Sequence, residues 1–198
     1  MATVGTQDGW AYTAHALTTD SADFEQFGSA LAIWRAKAPA GGLPRKRDFS
    51  ALDFRSWLGR VIIYEVQRAP FDLRFRLCGT DIVNYLRSEN TGRLFSEIYG
   101  HVPGHRVALA YFEHLADNRV IGFSGGPMAW ERMDYATGQC LDLPVLDDAG
   151  RVGFFFTFMR LGGDEMAFPA RLMPDAPAHA WRRARAEDDD ILVEGLAL

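Results

Sequence analysis

The segment 153–159, GFFFTFM, carries apolar side chains on both of its faces and so limits how the chain can fold. Side chains of a strand point alternately to opposite faces, and a short continuous apolar run is typical of a strand buried on both. One face carries Phe154, Phe156 and Phe158, and the other carries Phe155, Thr157 and Met159. The sheet that contains this strand therefore needs a cover on each side, and one of the covers is the interior of the domain.

The second cover is predicted near the N-terminus, where large apolar residues recur at helical spacing. A helix over 23–39 places Phe24, Phe27, Leu31 and Trp34 in one stripe, and the prolines and glycines that follow end it. These four residues are the helix-docking candidates. The sequence leaves open whether the stripe covers the sheet of its own chain or the sheet of a second copy in a homodimer.

The rest of the chain predicts an antiparallel sheet interrupted by helices. This order corresponds to the α+β class, with a five-stranded antiparallel sheet, helices on one face of it, and the additional N-terminal helix. We predict a flexible N-terminus over 1–22, one domain over 23–163 with its core at 61–162, and a C-terminal extension over 164–198. The predicted elements are strands at 61–67, 73–79, 120–133, 139–146 and 152–161, helical fragments within 81–100, and a helix over 103–119.

The second strand runs directly into a helix through the corner Gly79-Thr80-Asp81. Glycine turns without the steric penalty of a Cβ atom, so we expect Gly79 to supply the conformational freedom of this corner. Thr80 or Asp81 can accept a hydrogen bond from the free amides of the new helix. We therefore expect one of them to cap it.

Composition and charge exclude several classes of protein. The 198 residues contain 21 basic and 26 acidic side chains, a net charge of −5, which offers no chain-wide basic field for nucleic acid. The longest apolar run is far shorter than the roughly 20 residues of a membrane-spanning helix, and the N-terminus lacks the pattern of a secretory signal. Two cysteines, Cys78 and Cys140, lie far apart. We expect a cytoplasmic protein that binds neither membrane nor nucleic acid.

Four motifs in a fixed order carry a resemblance to a known family. The motifs are Leu43-Pro44-Arg45 with Asp48-Phe49, Arg74-Phe75-Arg76-Leu77 with Gly79-Thr80, Thr91-Gly92-Arg93, and Leu143-Pro144 with Leu146, Gly150 and Val152. With the order of the elements, they resemble the PAS domain superfamily, and within it a bacterial stand-alone PAS-like group, over about residues 23–162. The extension after Gly163 has no counterpart in that resemblance.

The resemblance implies a sensory or protein-interaction module of bacterial signal transduction. Such a module acts when a small-molecule ligand or a signalling protein shifts the packing of its N-terminal helix, and it is often a homodimer. The alternative is a small enzyme or carrier of another α+β cavity fold that holds a hydrophobic molecule. An enzyme needs convergent acid-base groups, for which the sequence nominates only His105, Tyr111 and Arg132. We therefore expect no enzymatic activity and no catalytic residue.

A central cavity in the family architecture makes its wall residues the candidates for a ligand pocket. Haem-binding PAS sensors ligate iron through a histidine on the helix that here contains His105, which flanks the apolar stripe of that helix by one turn. We expect no haem and no other cofactor. The pair His101 and His105 is separated by Pro103, so we expect no metal site either. The pocket candidates are Phe75, Leu77, Tyr85, His105, Tyr111, Phe112, Trp130 and Phe156.

Overall fold

The computed structural model describes residues 2–7, 10–102, 104–127, 137–162, 181–183 and 191–193. Its α-helices are α1 (Gly28–Lys37), α2 (Thr80–Leu86), α3 (Phe95–Tyr99) and α4 (His105–Asn118). Its strands are β1 (Ala2–Gln7), β2 (Trp10–His15), β3 (Val61–Arg68), β4 (Phe71–Cys78), β5 (Ile121–Pro127), β6 (Thr137–Leu146), β7 (Val152–Gly162), β8 (Trp181–Arg183) and β9 (Ile191–Val193).

One antiparallel sheet of seven strands organises the protein, in the order β1-β2-β5-β6-β7-β3-β4. The predicted α+β class is confirmed, and all five predicted strands lie side by side in this sheet. The central strand β7 pairs with β6 along its length and with β3 through Phe154–Phe158. The short strands β8 and β9 form a separate antiparallel pair within the C-terminal extension.

The N-terminus corrects one prediction. We expected residues 1–22 to be flexible, but β1 and β2 form a hairpin that extends the sheet beyond β5. The register pairs Ala11 of β2 with Gly125 and His15 with Ile121. Trp10, Tyr12 and Thr13 favour a strand by intrinsic preference, but the segment is short, and its pairing with the β5 edge decides that it is part of the sheet. That edge cannot be recognised from the N-terminal sequence alone.

The N-terminal helix covers one side of the sheet, which we call the outer face. A 3₁₀ helix, Ala22–Phe27, leads into α1, and the predicted stripe is buried within its own chain. Phe24 and Phe27 each lie 6.1 Å from the ring of Phe123 on β5. The indole Nε1 of Trp34 donates a 3.0 Å hydrogen bond to the carbonyl of Pro144 on β6. In this single chain the stripe therefore packs on the sheet of its own chain.

Helices α2, α3 and α4 lie on the opposite side, the inner face, where aromatic rings fill the space. Phe112 of α4 lies 5.0 Å from Phe155 and 5.5 Å from Tyr64. Tyr64 in turn lies 4.8 Å from Phe75, and Phe75 stacks on Phe95 of α3. The inner layer is therefore a continuous set of ring contacts.

The structure gives a different reason for the glycine at position 79 from the one we predicted. The φ of −63° at this glycine is accessible to any residue, and no side chain caps α2. Glycine is required by close approach, because a Cβ atom there would lie 2.4 Å from the carbonyl carbon and oxygen of Gly59. Tertiary packing of two backbones, which a local pattern does not reveal, thus explains the glycine.

A pair of substitutions separates these explanations. Gly79→Ala should lower stability by about 1–3 kcal/mol or more, because backbone atoms cannot move aside as a flexible side chain does. Thr80→Ala should change it by less than about 0.5 kcal/mol, since its side chain is exposed and makes no cap bond. Urea unfolding of both variants measures the difference, and a larger loss for Thr80→Ala would restore the capping explanation.

Among the described residues, no helix has the length and apolar character needed to cross a bilayer.

Candidate functional site

The first and last sequence motifs contact each other across the outer face. The carbonyl of Pro44 accepts a 2.9 Å hydrogen bond from the amide of Leu146. The Arg45 guanidinium donates to the carbonyl of Asp147 at 3.2 Å, in the turn between β6 and β7. The connector before β3 is thereby fastened to the β6–β7 hairpin. The same hairpin accepts the hydrogen bond from Trp34, so the helix and the connector together form one outer layer on the sheet.

The two middle motifs also contact each other. The backbone of Phe75 on β4 exchanges hydrogen bonds with the turn 90–93: its amide donates to Arg93 at 3.0 Å, and its carbonyl accepts from Gly92 at 2.7 Å. The Arg74 guanidinium donates to the carbonyl of Gly92 at 2.8 Å. Gly92 has a φ of +90°, which favours glycine. These motifs hold the edge strand to the turn before α3.

Polar groups meet at one place on the inner face, beneath α4. The side chain of Asp142 on β6 is fully buried and accepts three hydrogen bonds. Thr157 of β7 donates at 2.6 Å, Tyr111 of α4 at 2.8 Å, and Ser124 of β5 at 3.3 Å. These four residues are the Asp142 cluster. It joins three neighbouring strands and the longest helix.

Burial dominates the electrostatics of the cluster. Desolvation raises the pKa of Asp142 from 3.8 to about 6, although the hydrogen bonds from Thr157, Tyr111 and Ser124 lower it. Burial, with Asp142 nearby, also raises the pKa of Tyr111 and of Cys140 well above their usual ranges. Tyr111 and Cys140 thus stay protonated at neutral pH. Asp142 is the residue of the cluster whose charge changes near neutral pH.

Tyr111 packs closely against β5 and covers the Asp142 cluster. A Cβ atom at Gly122 on β5 would lie 2.0 Å from the Tyr111 hydroxyl, so only glycine lets that hydroxyl reach Asp142. On its other side the Tyr111 ring lies 4.8 Å from Tyr12 of β2. The N-terminal hairpin therefore contacts the helix residue that holds the carboxylate.

The structure separates the predicted pocket residues into several places. Phe75, Tyr111 and Phe112 lie on the inner face and are buried, and Leu77 and Tyr85 are half-buried on β4 and α2. His105 begins α4, and its Nδ1 lies 3.1 Å from the carbonyl of Val102, three residues earlier. Trp130 and Arg132 lie outside the described residues.

Phe156 was misplaced by the sequence interpretation. It packs on the outer face, 5.0 Å from Phe49 and 5.3 Å from Phe54 of the connector. The period of two puts it opposite Phe155 and Thr157, which face α4. Both faces of β7 are buried, so apolar character alone could not show which face is the inner one.

Asp142, Ser124 and Thr157 were missed altogether. The signal was a single acidic residue inside the apolar run Cys140–Val145, in a strand whose central residues are all buried. A buried carboxylate needs hydrogen-bond donors, but the strands that supply them are 15 and 18 residues distant in sequence. Only the register of β5, β6 and β7 brings them together.

A groove of about 260 Å³ lies on the other side of the molecule, along the N-terminal helix. Its lining includes Ser21, Phe24 and Leu31 together with the charged residues Asp20, Glu25 and Arg35. Among the described residues, His, Cys, Asp and Glu do not assemble in groups of three or more that could hold a metal ion.

The seven-stranded sheet, with helices on its inner face and a docked N-terminal helix on its outer face, defines an α+β domain. A family model for the PAS domain matches residues 25–158, so the chain belongs to the PAS domain family. In general terms, such a domain is a sensory or interaction module. No match was found among curated proteins or among solved structures.

Proposed function

We propose that this PAS domain is a cytoplasmic sensory and interaction module of bacterial signal transduction. Its output is the position of the N-terminal helix on the outer face of the sheet. Binding of a signalling protein, or of a small molecule, shifts the domain between a docked and a released arrangement of that helix. A ligand shifts such an equilibrium only through a difference in its affinity for the two states.

The proposal rests on the contacts that hold the outer layer to the sheet. Helix α1 contacts the sheet through a compact apolar stripe and one hydrogen bond, from Trp34 to Pro144. Trp57 of the connector stacks on Phe27 and donates to the hydroxyl of Ser29 at 2.9 Å. The layer is thus a discrete unit that can be released without disturbing the hydrogen bonds of the sheet itself.

The contacts of the inner face favour a protein partner over a bulky ligand. Its rings already contact one another from Phe75 to Phe155, so a ligand there would have to displace them. The outer layer offers an exposed helix surface and the groove beside Glu25 and Arg35. Because the stripe is covered within its own chain, a homodimer would use a different surface.

Absence of catalysis is part of the same proposal. Of the nominated acid-base groups, Tyr111 is fully buried and bound to Asp142, and His105 contacts its own preceding turn. Neither arrangement offers a substrate an accessible proton donor and acceptor together.

Proximity labelling in the source organism tests the proposed output. Leu31→Asp places a charge at a buried position of the stripe, whereas Ala36→Asp places the same charge at an exposed position of the same helix. We expect Leu31→Asp to change the set of labelled neighbours, because the helix is released. Ala36→Asp should label the same proteins as the unmodified chain.

Circular dichroism must show that the Leu31→Asp protein keeps its sheet, so that a changed set of neighbours reports release rather than unfolding. Identical neighbours for all three proteins would contradict the proposed output. Native mass spectrometry of the unmodified chain shows whether a small molecule copurifies with it. Conversion of such a molecule into a product by the protein would favour the enzyme alternative.

A further inference from the structure

Asp142 is a buried carboxylate that faces no cation among the described residues. The titratable groups around it are Cys140 on its own strand, Tyr111 from α4 and Tyr64 from β3, with Tyr12 of β2 behind Tyr111. Burial raises the pKa values of Cys140, Tyr111 and Tyr64 well above their usual ranges, so these three groups are neutral near pH 7. A buried charge without an opposite charge is costly, and such exceptions are found at functional sites more often than elsewhere.

We propose that the Asp142 cluster is a proton-binding site whose charge state controls how firmly α4 and the N-terminal strand β2 are held against the sheet. The ligand is a proton because the carboxylate is fully enclosed and its neighbours already occupy hydrogen-bonding distance. A proton needs only a brief opening to reach it. The inference goes beyond the proposed function and does not depend on it.

Protonation changes the hydrogen-bond pattern of the cluster. The ionised carboxylate only accepts, and all three hydroxyls donate to it. A proton taken from solvent water forms an O–H bond on one carboxylate oxygen, and that oxygen then donates. If it is the oxygen facing Thr157, the threonine must accept instead and turn its own hydrogen elsewhere. The charged form therefore needs all three donors, whereas the neutral form needs fewer.

Tyr111 contacts both Asp142 and the N-terminal strand β2, and so links the two. Its hydroxyl is fixed between Asp142 and Gly122, and its ring lies against Tyr12 of β2. Strand β2 pairs directly with β5, which supplies both Gly122 and Ser124. Opening of β2 and α4 gives the carboxylate access to water, and this favours the charged form.

The closed state of the protein should become less stable as the pH rises. The pKa of Asp142 is about 6 in the closed protein and 3.8 in water, so the closed state binds the proton more tightly. Its contribution to stability is fully present below pH 3.8 and is lost as the pH rises through about 6. Raising the pH should therefore loosen β2 and α4.

Carbon-13 NMR of aspartate carboxyl groups in the full chain tests proton binding. We expect one carboxyl signal with a midpoint near pH 6 that is missing in Asp142→Asn. Thr157→Val removes a donor to the charged form and should move this midpoint upward. The site is refuted if every aspartate carboxyl titrates below pH 5, or if Thr157→Val moves the midpoint downward.

Amide hydrogen exchange at pH 5.0 and 7.5, corrected for intrinsic rates, tests the coupling. Opening of Trp10–His15 should increase by about tenfold between these two pH values, because pH 5.0 lies about one unit below the closed-state pKa of about 6 and already above 3.8, and each unit corresponds to about tenfold. In Asp142→Asn this increase should vanish, while any pH-dependent background that does not come from Asp142 stays equal in both proteins. The same increase in both proteins would overturn the coupling, even with the proton bound.

Discussion

Deletion of residues 1–38 is expected to make the protein aggregate or to lower its melting temperature by tens of degrees. Removal of the segment uncovers the part of the outer face around Phe123 and also the edge of β5. Burial of a large apolar side chain contributes about 1.5–3 kcal/mol. Four such side chains form the stripe, so their loss approaches the roughly 5–15 kcal/mol by which a domain is stable.

A shorter deletion, of residues 1–21, serves as the matched control. It removes β1 and β2 but leaves the whole stripe from Phe24 to Trp34 in place. The longer deletion should therefore be markedly less stable than the shorter one in thermal unfolding, and sedimentation should show aggregates only for the longer one. If the chain without residues 1–38 stayed soluble with an unchanged melting temperature, the helix would be a free appendage and the proposed output would be untenable.

Apolar periodicity was sufficient to predict much of this fold. The stripe from Phe24 to Trp34 and the two-sided strand β7 each predicted a cover on the outer face. The stripe packs on Phe123 of β5, whereas Phe156 and Phe158 of β7 are covered by Phe49, Phe54 and Trp57 of the connector. Helical spacing and strand alternation are local properties, so they can be recognised in one sequence. The motif order led to the PAS domain family for the same reason, because turns and strand ends recur at fixed places.

Other features depend on contacts between distant segments and were missed. Strand β2 exists through its pairing with β5, Gly79 is required by the backbone of Gly59, and the Asp142 cluster depends on the register of three strands. The resemblance gave the first and last motifs no structural role. In the structure Pro44 and Arg45 fasten the connector to the β6–β7 hairpin, a contact between segments about 100 residues apart.

Substitution of Gly122 is expected to have the second large effect on stability, because Gly122 lies where α4, the sheet and the Asp142 cluster meet. Gly122→Ala would bring a Cβ atom to 2.0 Å from the Tyr111 hydroxyl and 2.4 Å from Cδ1 of Leu115. Both neighbours are fully buried, and interiors packed at crystal-like density cannot absorb such overlap. Either α4 moves away from β5, or Tyr111 rotates and gives up its 2.8 Å bond to Asp142.

Both responses destabilise the protein. Overpacking costs about 1–3 kcal/mol, and loss of a hydrogen bond to a buried charged group adds about 1.5–3 kcal/mol. For a protein of this size we expect the melting temperature of Gly122→Ala to fall by about 5–20 °C. Near-ultraviolet circular dichroism should also change, since Tyr111 and Tyr12 lose their mutual packing.

Gly28→Ala is the control, because it adds the same methyl group where no atom lies within 4 Å. Gly28 is the first residue of α1, and alanine favours a helix over glycine by up to about 1 kcal/mol. Its melting temperature should therefore stay equal or rise slightly. Equal melting temperatures for Gly122→Ala and Gly28→Ala would mean that α4 is loosely seated on β5. In that case Tyr111 could not transmit the charge of Asp142 to the N-terminal strand.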